Sequence, residues 1–234
     1  MTGNFYFNTR QNATPEFQKE IQSTPINETP VLDERDYIIN SRDNKRYKIV
    51  KIGTQVWMAE NLRTIKYRNG DLIGTTSPAS KDYSSESKPK YQWAYDGIET
   101  NVPTYGRLYT WYALTDSRKV CPTGWHLPTK SEWAILINYL GSDSAGSKMK
   151  ETGTAHWLSP NIATNESGFT AIPGSLRPFE SGFLYIDILA TWWSSSEILS
   201  KKANRLLLLY WDKKINETDG GKKNGLSVRC VQDL

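Results

Sequence analysis

Apolar and polar positions follow no regular period over the first part of the chain, where Thr14-Pro15, Thr24-Pro25 and Thr29-Pro30 interrupt a polar stretch. Residues 1–30 therefore read as an irregular tail or linker, with room for one short helical turn. From Tyr37 the pattern changes. Tyr37–Ile39 and Tyr47–Ile52 are rich in aromatic and β-branched residues and flank the turn-forming Ser41–Lys45, which predicts a hairpin. Gln55–Leu62 predicts a further strand running into a turn. Gly70–Lys90, dense in Ser, Thr, Lys, Pro and Asp, predicts a long surface loop. Aromatic residues return at Tyr91–Tyr95.

Leu108, Trp111, Tyr112, Leu114 and Val120 predict a helix over Leu108–Val120, ended by Cys121-Pro122. Gly124–Pro128 predicts a short strand. Thr129 with Glu132 three residues on forms a capping box. The helix it opens carries Trp133, Leu136, Ile137 and Leu140 on one face and stops at Gly141. Short apolar pieces then recur at His156–Leu158, Gly168–Ile172, Phe183–Ile186 and Thr191–Trp193. The last two strands are expected at Leu206–Trp211 and Leu226–Val231, with Gly220-Gly221 near the turn between them. Two helices followed by many short strands imply an α+β fold.

The chain has 234 residues, ample for a large core, with nine Trp and thirteen Tyr. Aromatic residues in this number serve cores and recognition surfaces alike. A net charge of +4, with basic residues scattered in pairs, argues against nucleic acid as a partner. The longest apolar run, Leu206–Trp211, is strand-sized, so no transmembrane segment is expected. Met1–Arg10 lacks the apolar core of a signal peptide. Either export by that route does not apply, or the signal lies ahead of this sequence.

Candidate chemistry is sparse. His126, between Trp125 and Leu127, and His156 are not at metal-ligand spacing, and a half-buried structural role is expected for His126. There is no Cys-x-x-Cys, nucleophile elbow, P-loop or dinucleotide glycine motif, so neither a cofactor nor a metal is expected. Glu132, Glu151, Glu166 and Glu197 are the carboxylates from which a hydrolytic pair would have to come. Asp33, Asp36, Asp43 and Asn44 cluster at the first hairpin but match no calcium loop, and turn chemistry accounts for them. Cys121 and Cys230, if paired, would close a loop of roughly a hundred residues, worth about 4 to 5 kcal/mol. Unpaired, they would be two buried thiols.

Several blocks resemble one known family. They are Val50–Leu62, Tyr105–Trp111 running on to Cys121–Thr129, Lys150–Gly153, Asn165–Phe169, Trp192–Glu197 and Gly225–Cys230. In this order they resemble the Fibrobacter succinogenes major paralogous domain family, from about residue 31 to the end. The resemblance implies a C-type-lectin-like domain over 31–234, with two helices packed on short antiparallel strands joined by long loops. It also implies a disulfide between Cys121 and Cys230, because the first-helix cysteine of that superfamily pairs with one in the final strand. Members of the family are typically exported proteins of Bacteroidetes-type bacteria, often lipoproteins, and some resemble ligand-binding proteins diversified by retroelements. An extracellular or outer-membrane location, with a lipid anchor on the full-length precursor, is the corresponding expectation. The superfamily's calcium-dependent sugar motifs are absent, since Trp193 is followed by Ser194-Ser195. So are the cleft cysteines of the related formylglycine-generating enzymes. A non-enzymatic, adhesin-like domain is therefore expected, with a structural envelope or polysaccharide-attachment module as the alternative and a hydrolase behind both.

The ligand surface is expected on the C-terminal strands. Leu206–Trp211 is apolar at every position, so either both faces are buried or one presents apolar surface to a partner. The family is usually Asn- and Tyr-rich here. The candidate binding residues are Ile198, Leu199, Lys201, Lys202, Arg205, Leu207, Leu209, Trp211, Lys213 and Lys214, facing a protein or glycan on a cell surface. Which Leu parity faces outward stays open; if Trp211 is outward, Leu207 and Leu209 share its face by period-2 arithmetic. Trp125, Trp192 and Trp193 lie in scaffold blocks and are expected in the core.

Overall fold

The computed structural model describes residues 36–234. The tail expected at 1–30 and the acidic Asp33 lie outside the described residues. The first hairpin forms as its pattern dictates, from β1 (Tyr37–Asn40) and β2 (Lys45–Ile52), paired antiparallel with Tyr37 opposite Lys48. A turn at Gly53, with φ of +60°, leads to β3 (Gln55–Met58). The ring of Tyr139 lies so close that a Cβ at Gly53 would stand 2.9 Å from it, a second reason for glycine there. The chain's last strand, β11 (Val231–Gln232), inserts between β3 and β6 (Trp125–His126) and completes a five-stranded sheet in the order β1-β2-β3-β11-β6.

A second sheet joins β4 (Gln92–Ala94), β5 (Arg107–Thr110) and β10 (Gly225–Leu226), with β5 in the middle. Here the sequence expectation fails. Instead of one helix over Leu108–Val120 there is strand β5, then a single helical turn, α2 (Trp111–Leu114), then turns to Cys121. The strand wins because Leu108 and Tyr109 are buried and β5 has a partner on each side, which outweighs local helical periodicity. α1 (Val102–Tyr105) is likewise one turn.

The helix expected after Thr129 is α3 (Lys130–Leu140), with both halves of the capping box formed and Trp133, Leu136 and Leu140 buried. A short α4 (Ala145–Met149) follows. The third sheet consists of β7 (Leu189–Leu199), β8 (Lys202–Leu209) and β9 (Asn216–Gly221), in that order. β9 was not expected. Its sequence, Asn-Glu-Thr-Asp-Gly-Gly, is a poor strand former and becomes one by pairing with β8. The strands expected at His156–Leu158, Gly168–Ile172 and Phe183–Ile186 do not form. Only isolated bridges occur there, Lys150 with Ala171 and Leu176 with Leu184.

Trp192 and Trp193 are consecutive in β7 and therefore point to opposite faces. Trp193 packs with Tyr47, Met58, Tyr109, Cys230 and Val228 in one core. Trp192 packs with Trp57, Trp133, Phe169, Leu206 and Leu208 in the other, under α3. β7 thus forms the partition between two cores. The Cys121–Cys230 disulfide is present in the first of them, with Cα atoms 6.0 Å apart.

Irregular segments run through this fold because buried and half-buried cations satisfy their carbonyls. Arg229 donates to the carbonyls of Phe169 and Thr170 and to Asn61 Oδ1. Arg177 donates to the carbonyls of Ala79, Lys81 and Pro178, and its guanidinium lies 4.2 Å from the ring centre of Trp93. Arg68 binds the carbonyls of Cys121, Pro122 and Trp125. None of the three has a carboxylate partner among the described residues. The loop carbonyls stand in for one.

Candidate functional site

Eight of the nine Trp are buried, and Trp211 alone is exposed, at 50%. Burying eight indoles follows from apolar area, and the buried ones mostly find an acceptor for the indole N–H. Trp192 donates to Asn61 Oδ1, Trp193 to the Tyr109 carbonyl and Trp111 to the Ser194 carbonyl. Trp211 packs edge-on against Tyr210, ring centres 4.6 Å apart, and otherwise faces outward.

The loop that carries Trp211 is braced from beneath. Fully buried Lys150 donates to three carbonyls in succession, those of Leu209 at 3.0 Å, Tyr210 at 2.8 Å and Asp212 at 2.9 Å. Burial pulls its ammonium down to about 8, against a weaker opposing pull from Asp212. The Ser147 N–H of α4 donates to the Lys213 carbonyl. Gly146 sits so close that a Cβ would lie 2.4 Å from the Lys214 carbonyl oxygen. Asp212 closes the turn by accepting from the Lys214 N–H and from Asn216 Nδ2, each at 2.9 Å. The Lys214 N–H is the main reason the Asp212 carboxyl is held below its usual range. A loop ordered in advance presents its aromatic residue without an ordering cost at binding. Lys150 and Gly146 were not singled out as site residues. Nothing in their spacing announces the role, although Lys150 opens one of the family-like blocks.

Along β8 the side chains alternate as expected. Leu206 and Leu208 enter the core, while Leu207 and Leu209 lie half-buried on the opposite face, opposite Thr191 and Leu189. Arg205 shares that face, opposite Thr218 and Trp193, the latter buried in the first core. The ten candidate residues do not form one patch. Ile198, Leu199, Lys201 and Lys202 are at the β7–β8 hairpin tip, whereas Trp211, Lys213 and Lys214 lie past the other end of β8. Strand rise puts roughly 23 Å between the two groups. Arg205, Leu207 and Leu209 form the half-buried strip that joins them. Lys202 pairs with Asp219 at 3.1 Å and Lys214 with Asp143 at 2.6 Å.

Two clefts lie beside the hairpin tip and behind it. One, of about 500 Å³, is lined by Trp111, Tyr112, Lys88, Lys90, Glu197 and Lys222. Lys222 is buried over the face of Trp111, 4.3 Å from its ring centre, and pairs with Glu197 at 2.5 Å. The other, of about 410 Å³, shares Thr115–Ser117 with the first and includes Leu114, Leu127, His126 and Asp233.

His126 has more partners than the sequence suggested. Asp233 Oδ1 lies 2.6 Å from Nδ1 and Glu132 Oε1 lies 2.7 Å from Nε2. A neutral imidazole has one N–H and can serve only one of these acceptors, so both bonds require the imidazolium. Burial works against that charge, but the Asp233 and Glu132 carboxylates together outweigh it and the pKa is raised. A raised folded pKa contributes stability below the unfolded value of 6.5 that is lost as pH rises through the folded value. Denaturation midpoints are therefore expected to fall as pH rises above 6.5, and His126→Gln to flatten that slope. Equal slopes in the two proteins would show that His126 is not the titrating group.

The four glutamates named above are held separately. Glu132 binds Thr129 and His126, Glu151 binds His156 at 2.7 Å, Glu166 lies 4.0 Å from Lys148, and Glu197 binds Lys222. Asp43 pairs with Lys45 at 3.6 Å. Among the described residues no cluster of three or more His, Cys, Asp or Glu is arranged to hold a metal ion, and no helix is long and apolar enough to cross a membrane.

These features define an α+β protein, mostly antiparallel sheet with few short helices, closed by a disulfide between the turn before β6 and the approach to β11. The chain belongs to the Fibrobacter succinogenes major domain family, whose model matches residues 50–232. No curated protein matches the chain, and no solved structure does.

Proposed function

We propose that this chain is a non-catalytic recognition domain of C-type-lectin-like fold that binds a protein ligand through its C-terminal strands, in the manner of an adhesin. The observation that carries this is Trp211, the one exposed indole of nine, on a loop held by Lys150, Ser147 and Gly146. Trp is a frequent energetic anchor of protein interfaces, and a preordered loop adds to its affinity. The Leu207 and Leu209 strip continues the apolar contact, and Lys213 would steer an acidic partner. The disulfide is compatible with an extracellular or outer-membrane setting. Descent from retroelement-diversified proteins would account for an apolar segment at a position where the family is usually polar.

The test is binding of the intact chain and Trp211→Ala to a combined array of cell-surface proteins and glycans, with and without calcium. Calcium-independent protein binding that falls at least about tenfold in the variant, with an unchanged melting temperature, is the expected result. Unchanged binding would overturn the assignment. The alternative, a polysaccharide-attachment module, is favoured by the 500 Å³ cleft, whose aromatic residues, hydroxyls and two ion pairs (Lys90 with Asp116, Lys222 with Glu197) suit a polyhydroxylated ligand. Glycan binding lost in Tyr112→Ala but kept in Trp211→Ala would select it.

A further inference from the structure

The third sheet leaves two things unpaired side by side. The first is a strand edge. β9 bonds to β8 on one side, and on the other side no strand pairs with it among the described residues. Asn216, Glu217 and Thr218 are exposed, and their backbone groups make no further backbone hydrogen bonds among the described residues. An edge of this kind is a template for another extended chain.

The second is Arg205. It stands opposite Thr218, and a Cβ at Gly220 would lie 2.9 Å from its Cδ, so the side chain lies over β9 toward that edge. Its Nε is enclosed and finds no acceptor among the described residues. The nearby carboxylates are already taken, Asp219 by Lys202 at 3.1 Å and Glu217 by Lys130 at 2.5 Å. Buried Arg177 and Arg229 are held mainly by loop carbonyls, and buried Arg107 by Glu99 and Gln92; half-buried Arg205 has no acceptor at Nε among the described residues. A half-buried guanidinium with an unmet donor is costly, and a carboxylate arriving at its terminal nitrogens would offset that cost.

We infer that the free edge of β9 accepts an extended acidic segment of a partner protein as a fourth strand, with an Asp or Glu side chain of that segment paired to Arg205. The inference rests on the reading that the C-terminal strands bind the ligand, and it supplies the ligand's chemistry. A peptide fits better than a sugar because its backbone donors and acceptors repeat at the spacing of the edge, about 6.4–6.8 Å for every second residue. Glycine at 220 keeps the outer face open enough for Arg205 to reach across β9.

The experiment uses immobilised octapeptides of alternating Thr and Val with one central Glu, each beside its Gln counterpart, probed with the whole chain. The Glu peptides are expected to bind about tenfold more tightly than the Gln peptides. That preference should vanish in Arg205→Gln and be partly kept in Arg205→Lys, with hydrogen exchange at Asn216–Asp219 slowed on binding. Equal binding of Glu and Gln peptides, or a preference that survives in Arg205→Gln, would overturn the inference. So would Arg205-dependent binding of oligogalacturonate with no peptide binding, which would make the ligand an acidic glycan. If Trp211→Ala abolishes surface-protein binding while the peptides show no Glu preference, the recognition surface stands and the strand pairing fails. The reverse pattern removes Trp211 and keeps β9.

Discussion

Replacing both cysteines with alanine is expected to lower the free energy of unfolding by about 4 to 5 kcal/mol. The crosslink joins residues 109 apart, and both half-cystines are buried beside Tyr109, Trp125 and Val228. The effect acts chiefly on the unfolded chain, which gains the freedom that the crosslink withholds. At roughly 2–4 °C per kcal/mol for a domain of this size, the melting temperature should fall by about 10–15 °C. Urea denaturation of the double variant and of reduced wild type checks this, and the two should agree. A loss below about 1 kcal/mol would mean that the ends of the loop stay together in the unfolded chain without the bond.

What the sequence could show follows from how local each cause is. The Thr129–Glu132 box needs only three residues of spacing, so α3 was legible to within a residue. The alternation along β8 was legible but its parity was not: Leu206 and Leu208 are buried and Leu207 and Leu209 half-buried, a choice that a uniformly apolar run leaves open. The pairing of Cys121 with Cys230 came from family resemblance and not from spacing. The elements that were missed depend on distant partners. At β5 the spacing of Leu108, Trp111 and Tyr112 fits a helical period, while the two neighbouring strands that override it come from residues 92–94 and 225–226. β9 has almost no intrinsic strand preference and exists through β8. The carbonyl-binding roles of Arg68, Arg177, Arg229 and Lys150 link residues far apart in the chain, which no window along it can reveal. The division of the ten candidate residues between the two ends of β8 needed the register, which the sequence does not carry.

Lys150→Met is the second large effect, and it bears on both stability and presentation. The substitution keeps apolar volume and removes three donors at once, leaving the carbonyls of Leu209, Tyr210 and Asp212 without their partner. Each buried carbonyl left unpaired costs about 1–3 kcal/mol, so a loss of at least about 3 kcal/mol is expected if the loop stays in place. The lower-energy response is for the loop to turn those carbonyls out to water, which releases Trp211 from its fixed position. Hydrogen exchange should therefore quicken at residues 210–214 more than within β8, and ligand binding should weaken even where the protein remains folded. A pH signature separates Lys150 from a purely steric change. Its folded pKa of about 8 lies below the ordinary 10.5, so the native state releases this proton first. Wild-type stability relative to Lys150→Met should then rise across that window. If exchange at 210–214 and that difference are both unchanged, Lys150 does not hold the loop, and the order of the segment that carries Trp211 must come from Gly146 and Ser147 alone.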